Sequence, residues 1–235
     1  MNLSQRIEII REKILKSSEK AGVNSKDVKL VAVTKTHPVE LLDEAINLGL
    51  DIIGENKVQE VEKKFPKLKN KYREFHFIGH LQSNKVNKLM KFRPTLIHSI
   101  DKISTLEKIS NYSSRNDFKQ DVLIQINTSG EESKSGISPD EIYYFLDKAL
   151  EIPSIKIKGL MTIGTITKDE QEIRRCFSLL WKISERIKTK KYQELEMKYL
   201  SMGMSNDFEI AIEEGSNMVR IGSSLFGYRN YGKED

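Results

Sequence analysis

The chain has 235 residues, enough for one large domain with a buried core but short for two. Hydrophobic residues make up 38% of it, and no apolar run approaches the roughly 20 residues that cross a bilayer, so no membrane span is expected. The net charge of +5 could indicate a nucleic-acid partner. The lysine-rich stretch 57–71, however, interleaves Glu60 and Glu62 and carries no nucleic-acid-binding motif, so we expect a solvated helix face and no nucleic acid.

The single cysteine and the N-terminal segment narrow the class of protein further. Cys176 cannot form an internal disulfide or a cysteine metal site, and its helical surroundings predict a buried thiol. Segment 1–20 mixes Arg and Glu with Ile and Leu, and it lacks the apolar core of a secretory signal. We therefore expect a cytoplasmic protein without a bound metal and without a membrane partner.

Short apolar runs rich in β-branched residues alternate with stretches of helical periodicity, which indicates a parallel sheet built from βα units. An amphipathic helix is predicted first, over 3–19. The predicted strands are 30–34, 51–54, 74–79, 96–100, 122–127, 157–163, 199–202 and 218–221. The predicted helices between them are 38–48, 57–67, 81–92, 102–113, 139–151, 168–188 and 206–214.

The number of strands decides between two architectures. Eight strands alternating with helices fit a closed (β/α)8 TIM barrel better than a doubly wound open sheet, which usually has about five or six. No Pro-, Gly- or Ser-rich linker divides the chain, so we expect a single domain over 1–235 with an extra N-terminal helix. In such barrels the active site lies at the carboxyl ends of the strands, which makes polar residues there candidate site residues.

Lys35 directly follows the apolar first strand, near the mouth of the predicted barrel. A lysine in a partly desolvated pocket loses part of its preference for the ammonium form, and the neutral amine condenses with aldehydes. The alternative is a rim lysine whose stem packs while its charged head reaches water. Position alone leaves both interpretations open.

Strands two and three each end near a glycine followed by polar side chains, Gly54 before Asn56 and Gly79 before His80. Glycine permits close approach of the backbone, so both polar residues are candidate ligand contacts. In the alternative interpretation Asn56 caps the following helix and His80 is a packed, hydrogen-bonded core residue. The polar, glycine-rich segment 127–136 predicts a loop over the mouth.

The loops after strands seven and eight carry small hydroxyl and glycine residues, Ser201 and Gly203 in the first and Gly222 and Ser223 in the second. Such residues supply free backbone N–H groups and short donors for a phosphate dianion, and barrels frequently bind phosphate in these two loops. Arg220 lies within strand eight and faces either the barrel interior or a helix. Inside the mouth it could hydrogen-bond a ring nitrogen of a ligand. The alternative is a structural ion pair with Glu or Asp. Together with the lysine after strand one, these loops predict a pyridoxal phosphate site on one barrel face.

Seven ordered segments of the chain match a known family. They are 30–36, 53–60, 75–85, 98–101, 127–136, 159–164, and 200–207 continuing through 215–216 to 219–223. On these segments the chain resembles the pyridoxal phosphate homeostasis protein family over nearly its whole length. The resemblance implies a barrel like the N-terminal domain of alanine racemase. The sequence departs from the family pattern at Lys57, where an aromatic residue is usual, and at Ser223, where threonine is usual.

The resemblance also implies roles for individual residues. Lys35 is then the lysine that forms the imine (the internal aldimine) with pyridoxal 5′-phosphate, and Arg220 faces the pyridine nitrogen. Because arginine can only donate hydrogen bonds, the ring nitrogen stays unprotonated and the ring is a weaker electron sink. The implied phosphate contacts are Ser201, Gly203, Gly222 and Ser223, and the further implied pocket members are Asn56 and His80.

For function, the resemblance implies binding, buffering and delivery of pyridoxal phosphate in vitamin B6 homeostasis, without catalytic activity. The implied recipients are PLP-dependent apoenzymes, and we expect a monomer. Racemases of this fold add a second domain that supplies a tyrosine as the second base, and nothing in this chain is long enough to be that domain. The alternative is a PLP-dependent enzyme of the amino-acid racemase type.

Overall fold

Eight parallel strands close into a barrel in chain order, which confirms the prediction of a (β/α)8 fold. The computed structural model describes residues 1–189, 192 and 195–227. The strands are β1 (Lys29–Val33), β2 (Ile52–Glu55), β3 (Glu74–Phe77), β4 (Leu96–Ile100), β5 (Gln120–Gln125), β6 (Ile155–Met161), β7 (Tyr199–Ser201) and β8 (Met218–Ile221). Strand β8 pairs with β1, from Lys29 opposite Met218 to Ala32 opposite Ile221, and this pairing closes the barrel.

The helices surround the barrel and bury apolar stripes against it. They are α1 (Leu3–Ala21), α2 (Val39–Asn47), α3 (Val58–Lys64), α4 (Val86–Met90), α5 (Ile103–Arg115), α6 (Ile142–Leu150), α7 (Glu170–Lys188), α8 (Phe208–Glu213) and α9 (Ser223–Phe226). In α7 the buried residues recur at the three- and four-residue spacing of one helix face, as in Ile173, Phe177, Leu180 and Ile187. Cys176 lies on this face and is buried, as its helical surroundings predict.

The N-terminal helix α1 covers the junction between β8 and β1. Its first turn is held by a capping box, in which the Asn2 and Gln5 side chains each accept a hydrogen bond from the backbone of the other residue. One face of α1 packs on α8, α9 and the two joined strands. The buried residues of this face include Leu3, Ile7, Ile10 and Ile14. The extra helix is therefore part of the barrel wall at the point where the barrel closes.

Two predicted helices are shorter in the structure. The helix predicted over 57–67 ends at Lys64 and continues as a 3₁₀ turn, because Pro66 has no N–H to donate to the preceding turn. The helix predicted over 81–92 begins only at Val86, since the residues before it form the loop and 3₁₀ turn that follow β3. The second difference lengthens the segment that follows β3 at the mouth of the barrel.

The barrel interior is filled by side chains from alternate strand positions. An apolar cluster there consists of Val31, Ile52, Leu96, Leu123, Met161 and Met218. Polar side chains from β3, β4, β7 and β8 share the interior with this cluster. The barrel is thus a packed core, as in other barrels of eight strands, with an unusual polar component.

Two predictions concern membranes and the extent of the domain. Among the helices of the described residues, none combines the length and the apolar character of a membrane span. Residues 228–235 lie outside the described residues, so a single domain over 1–235 stays a prediction.

A bulge in β6 depends on Gly159. The register between β5 and β6 shifts between Val122 and Ile124, where β6 contains one residue more than its neighbour. Gly159 has a φ of +145°, and a methyl group on it would overlap the carbonyl oxygen of Tyr199 in β7. Glycine therefore permits the close approach of β6 and β7 at this point.

We expect Gly159→Ala to lower the free energy of unfolding by about 3 kcal/mol or more, because backbone strain and steric overlap add. The matched control is Gly22→Ala. Gly22 also has a left-handed φ, +67°, but a methyl group there meets nothing within 4 Å. The control should lose only about 1 to 2 kcal/mol. Urea denaturation measures both losses, and equal losses would contradict the role of the bulge.

Candidate functional site

A cavity of about 530 Å³ opens at the carboxyl ends of the strands, where the fold predicts the active face. Its volume suits a small-molecule ligand, for which sites of roughly 300 to 1,000 Å³ are usual. Six of the eight predicted site residues line it: Lys35, Asn56, His80, Arg220, Gly222 and Ser223. A larger groove of about 740 Å³ lies outside the barrel beside α2 and contains none of the eight.

Lys35 lies at the rim of the cavity. Strand β1 ends at Val33, and Lys35 follows it in a turn with its side chain exposed. The side chain of Lys35 is therefore exposed to solvent, as the interpretation as a rim lysine predicts. Because Lys35 also lines the cavity, its amine is accessible to an aldehyde that enters from solvent.

The turn that carries Lys35 is held in place by α3. Thr36 has a left-handed φ of +65°, which is unfavourable for a β-branched residue. Its backbone N–H donates to Glu60 Oε2 at 2.5 Å, and Lys64 Nζ lies 2.7 Å from the same oxygen. Lys64 also donates to the carbonyl oxygen of Thr34 at 2.8 Å. Helix α3 thus fixes the backbone on both sides of Lys35.

A buried carboxylate, Glu55 at the end of β2, connects this turn to the barrel. Its Oε1 accepts from Thr34 Oγ1 at 2.7 Å and from Lys64 Nζ at 2.9 Å, whereas Oε2 is buried without a hydrogen-bond partner. Burial raises the pKa of Glu55, and the attraction of Lys64 only partly offsets this. The strand end and the turn therefore share one polar cluster directly below Lys35.

Asn56 and His80 follow β2 and β3 at the mouth. Asn56 Oδ1 is buried and has no hydrogen-bond partner, so it is available to a ligand in the cavity. A methyl group on Gly79 would overlap the carbonyl oxygen of Asn56, which is why the loop needs glycine there. The side chain of His80 is 45% exposed, and its Nδ1 lies 3.8 Å from Asp101 Oδ2. The interpretation of His80 as a packed core residue is wrong, because it stands at the rim.

Arg220 faces the barrel interior and not a helix. Its Nη1 donates to Ser201 Oγ at 2.7 Å, and its Nη2 donates to the carbonyl oxygen of Thr162 at 2.9 Å. Burial lowers the pKa of Arg220 to about 10, against the attraction of the Asp207 carboxylate. The guanidinium is therefore charged at neutral pH, and it lines the floor of the cavity.

Ser201 and Gly203 are not among the residues that line the cavity, and their role as phosphate contacts stays a prediction. Ser201 is fully buried at the end of β7, where its hydroxyl bonds to Arg220 and His98. Gly203 has a φ of +93°, and a methyl group on it would lie 2.6 Å from the Cβ of Ala211. Ser201 therefore supports Arg220 from below, and Gly203 allows the loop to pack on α8.

Ser205 is a cavity residue that the sequence interpretation missed. Its Oγ accepts hydrogen bonds from the backbone N–H groups of Gly222 and Ser224, both at 3.2 Å. Two amides at the start of α9 thus hold the Ser205 hydroxyl beside Ser223, where its O–H can donate to a ligand in the cavity. The sequence signal that could have identified Ser205 is its position. Ser201 is the last residue of β7, whereas Ser205 lies in the loop beyond that strand.

A line of hydrogen bonds continues from Ser201 through the barrel interior. His98 Nδ1 lies 2.9 Å from Ser201 Oγ, His98 Nε2 lies 3.0 Å from His76 Nδ1, and His76 Nε2 lies 2.9 Å from Glu74 Oε2. Burial lowers the pKa of both histidines, and that of His98 falls well below its usual range. The hydrogen bond with His76, together with Lys29, lowers the pKa of Glu74 to about 2 despite its burial. At neutral pH two neutral imidazoles therefore link a carboxylate to the floor of the cavity.

Comparison with known proteins identifies the family. A family model for the N-terminal domain of alanine racemase matches residues 8–230. A pyridoxal phosphate homeostasis protein of Aquifex aeolicus (strain VF5) is 42% identical over 231 residues, which cover 98% of this chain and 100% of that protein. The chain belongs to the pyridoxal phosphate homeostasis protein family. The resemblance inferred from the seven sequence segments is thereby confirmed.

Two solved structures share the fold over almost their whole length. An unknown protein from Bifidobacterium adolescentis is 36% identical, with a TM-score of 0.88 and coverage of 95% of this chain and 94% of that one. The structure of PipY from Synechococcus elongatus PCC7942 with PLP bound is 26% identical, with a TM-score of 0.85 and coverage of 96% and 100%. Both solved structures thus share this barrel with the chain at moderate sequence identity.

The buried, neutral His98 predicts a pH-dependent stability. The imidazole of the unfolded chain has a pKa near 6.5, and the folded pKa is lower, so below about pH 6.5 the unfolded state binds more protons. We expect the free energy of unfolding of the wild type, relative to His98→Gln, to decrease from pH 7 to pH 5. The slope should approach about 1.4 kcal/mol per pH unit.

Urea titrations at several pH values measure this difference. The control is Ile109→Val in α5, a buried apolar substitution that should cost about 1 kcal/mol equally at every pH. If the difference between wild type and His98→Gln is as constant as that of the control, His98 has no depressed pKa in the folded protein.

Proposed function

We propose that this chain binds pyridoxal 5′-phosphate at the mouth of the barrel and attaches it covalently through Lys35. In this role the protein buffers the cofactor in the cytoplasm and delivers it to PLP-dependent apoenzymes. The observation that carries the proposal is the presence of an amine, a guanidinium and two serine hydroxyls around one cavity, from Lys35, Arg220, Ser205 and Ser223. The family name and the PLP-bound structure of PipY support it.

The residues present fit the chemical groups of this cofactor. The phosphate is expected at the hydroxyls of Ser205 and Ser223, because the amides of Gly222 and Ser224 hold Ser205 Oγ in place and leave its O–H free to donate. Arg220 offers N–H donors to a ring nitrogen from the cavity floor. The unpartnered Oδ1 of Asn56 offers an acceptor on the remaining side of the cavity.

The proposed role is storage and transfer and not catalysis. Pyridoxal phosphate supplies an aldehyde that condenses with amines and a ring that withdraws electrons, more strongly when its nitrogen is protonated. A charged Arg220 can only donate a hydrogen bond, which disfavours a protonated ring nitrogen. Among the described residues that line the cavity, none is a tyrosine that could act as the second base of a racemase. We infer a monomeric carrier.

The alternative is an enzyme of the amino-acid racemase type, which the match to the alanine racemase N-terminal domain favours. The two functions differ in exchange at the α-carbon. Purified protein loaded with pyridoxal phosphate should exchange α-deuterium from amino acids no faster than the free cofactor. Faster exchange that disappears in Lys35→Ala would establish the enzyme and contradict the carrier.

Attachment at Lys35 is tested by reduction. Incubation with pyridoxal phosphate and then borohydride should fix one adduct per chain, and mass mapping should locate it on Lys35. Lys35→Ala should lose this adduct, and Lys57→Ala should keep it, because Lys57 is exposed but does not line the cavity. An adduct on another lysine of the wild type would refute the assignment.

Phosphate recognition is tested by comparing pyridoxal phosphate with pyridoxal, which lacks the phosphate. We expect Ser205→Ala to weaken binding of pyridoxal phosphate about tenfold or more, since a hydrogen bond to a charged group contributes about 1.5 to 3 kcal/mol. Binding of pyridoxal should change little. Ser114→Ala, an exposed serine of α5 far from the cavity, is the control. Equal weakening of both ligands in Ser205→Ala would mean that the phosphate lies elsewhere.

A further inference from the structure

Five side chains from four strands form a continuous line of hydrogen bonds through the barrel interior. We name this line the interior relay; its members in order are Arg220, Ser201, His98, His76 and Glu74. Arg220 lines the cavity at the mouth. Glu74 is the first residue of β3, at the opposite end of the barrel, where Lys29 pairs with it at 2.6 Å. The relay therefore connects the two ends of the barrel.

The two ends of the interior relay fix the direction of every bond. The guanidinium of Arg220 has N–H donors and no acceptor. Glu74, with a pKa of about 2, is a carboxylate at neutral pH and can only accept. Each group between them must therefore accept one hydrogen bond from the side of Arg220 and donate one toward Glu74.

This direction determines the tautomers of both histidines. His76 must carry its hydrogen on Nε2 to donate to Glu74, which leaves Nδ1 as an acceptor. His98 must then carry its hydrogen on Nε2 to donate to His76, which leaves its Nδ1 to accept from Ser201. Any other neutral assignment places two lone pairs against each other. The low pKa values of the two buried rings agree with neutral imidazoles.

We propose that Ser201, His98, His76 and Glu74 are positioning residues for Arg220 and hold its guanidinium where it meets the ring nitrogen of the bound ligand. Because the hydroxyl of Ser201 donates its hydrogen to His98 Nδ1, a lone pair of the same oxygen faces Arg220 and accepts from the guanidinium. The inference rests on the proposed function, because it takes the ligand to be a pyridoxal phosphate ring.

Packing alone does not explain the interior relay. The neighbouring interior positions are apolar, among them Val31, Ile52, Leu96 and Leu123. Buried polar groups need partners, and exchanging such a cluster for apolar side chains of similar volume is often neutral or stabilising. Of the five members, only Arg220 lines the cavity. The other four members can therefore affect a ligand only through the position of Arg220.

The direction of the interior relay is tested without any ligand. In the full-length protein labelled with ¹⁵N-histidine, NMR at neutral pH should show two buried rings with a protonated Nε2 and an unprotonated Nδ1. His76→Gln and His98→Gln assign the signals. A ring protonated on Nδ1, or on both nitrogens, at either position would overturn the assigned direction.

The positioning role is tested with two ligands, pyridoxal phosphate and its 1-deaza analogue, in which carbon replaces the ring nitrogen. The wild type should prefer pyridoxal phosphate by about tenfold, the value of one hydrogen bond of typical strength. Ser201→Ala and His98→Met should lose most of this preference. His98→Gln should keep more of it, because the amide can both accept from Ser201 and donate to His76.

The outcomes separate the two proposals. If the wild type binds both ligands equally, or if the variants weaken both equally, the positioning role is wrong while the binding of pyridoxal phosphate stands. If the wild type binds neither ligand, the proposed function is wrong and the positioning role with it. Circular dichroism and urea denaturation of each variant show that a loss of preference does not arise from unfolding.

Discussion

The parallel pairing of β8 with β1 is the contact on which the candidate site depends. Lys35 follows β1 and Arg220 belongs to β8, so residues from opposite ends of the chain become neighbours only when the barrel closes. The approach is close, because a methyl group on Gly222 would lie 3.3 Å from the carbonyl oxygen of Val33. Helix α1 buries the outer side of the same junction. The packing of helix α1 and the candidate site thus both depend on one closure, and loosening it would separate Lys35 from the residues that follow β8.

A second constraint is the burial of a charged arginine in the barrel. Arg220 is only 5% exposed, and its guanidinium needs acceptors that do not move. Ser201 and the Thr162 carbonyl provide them, and Ser201 in turn is ordered by His98. The polar interior of this barrel is therefore organised around one cation, and the carboxylate at the opposite end completes the sequence of donors and acceptors.

The sequence predicts the fold well because strand count and helical periodicity are local properties. It also predicts the residues that follow directly from the barrel rule, such as Lys35 after β1 and Ser223 after β8. It does not single out Ser205 as a cavity residue, because a one-dimensional pattern does not show that Ser201 is buried in the barrel while Ser205 lines the cavity. The pairing of His76 with His98 depends on the register of β3 and β4, which no local motif specifies.

The distribution of burial across the site suits the proposed carrier better than a catalyst. The group expected at the ring nitrogen is rigid and buried, whereas the lysine expected to hold the aldehyde is exposed on a turn at the rim. A catalytic lysine that moves protons gains from desolvation, which brings its pKa toward neutrality. A lysine that exchanges its bond with an incoming amine gains instead from access. The firm hold of α3 on the turn around Lys35 keeps that access constant, because Glu60 and Lys64 fix the backbone while the side chain stays free to meet solvent.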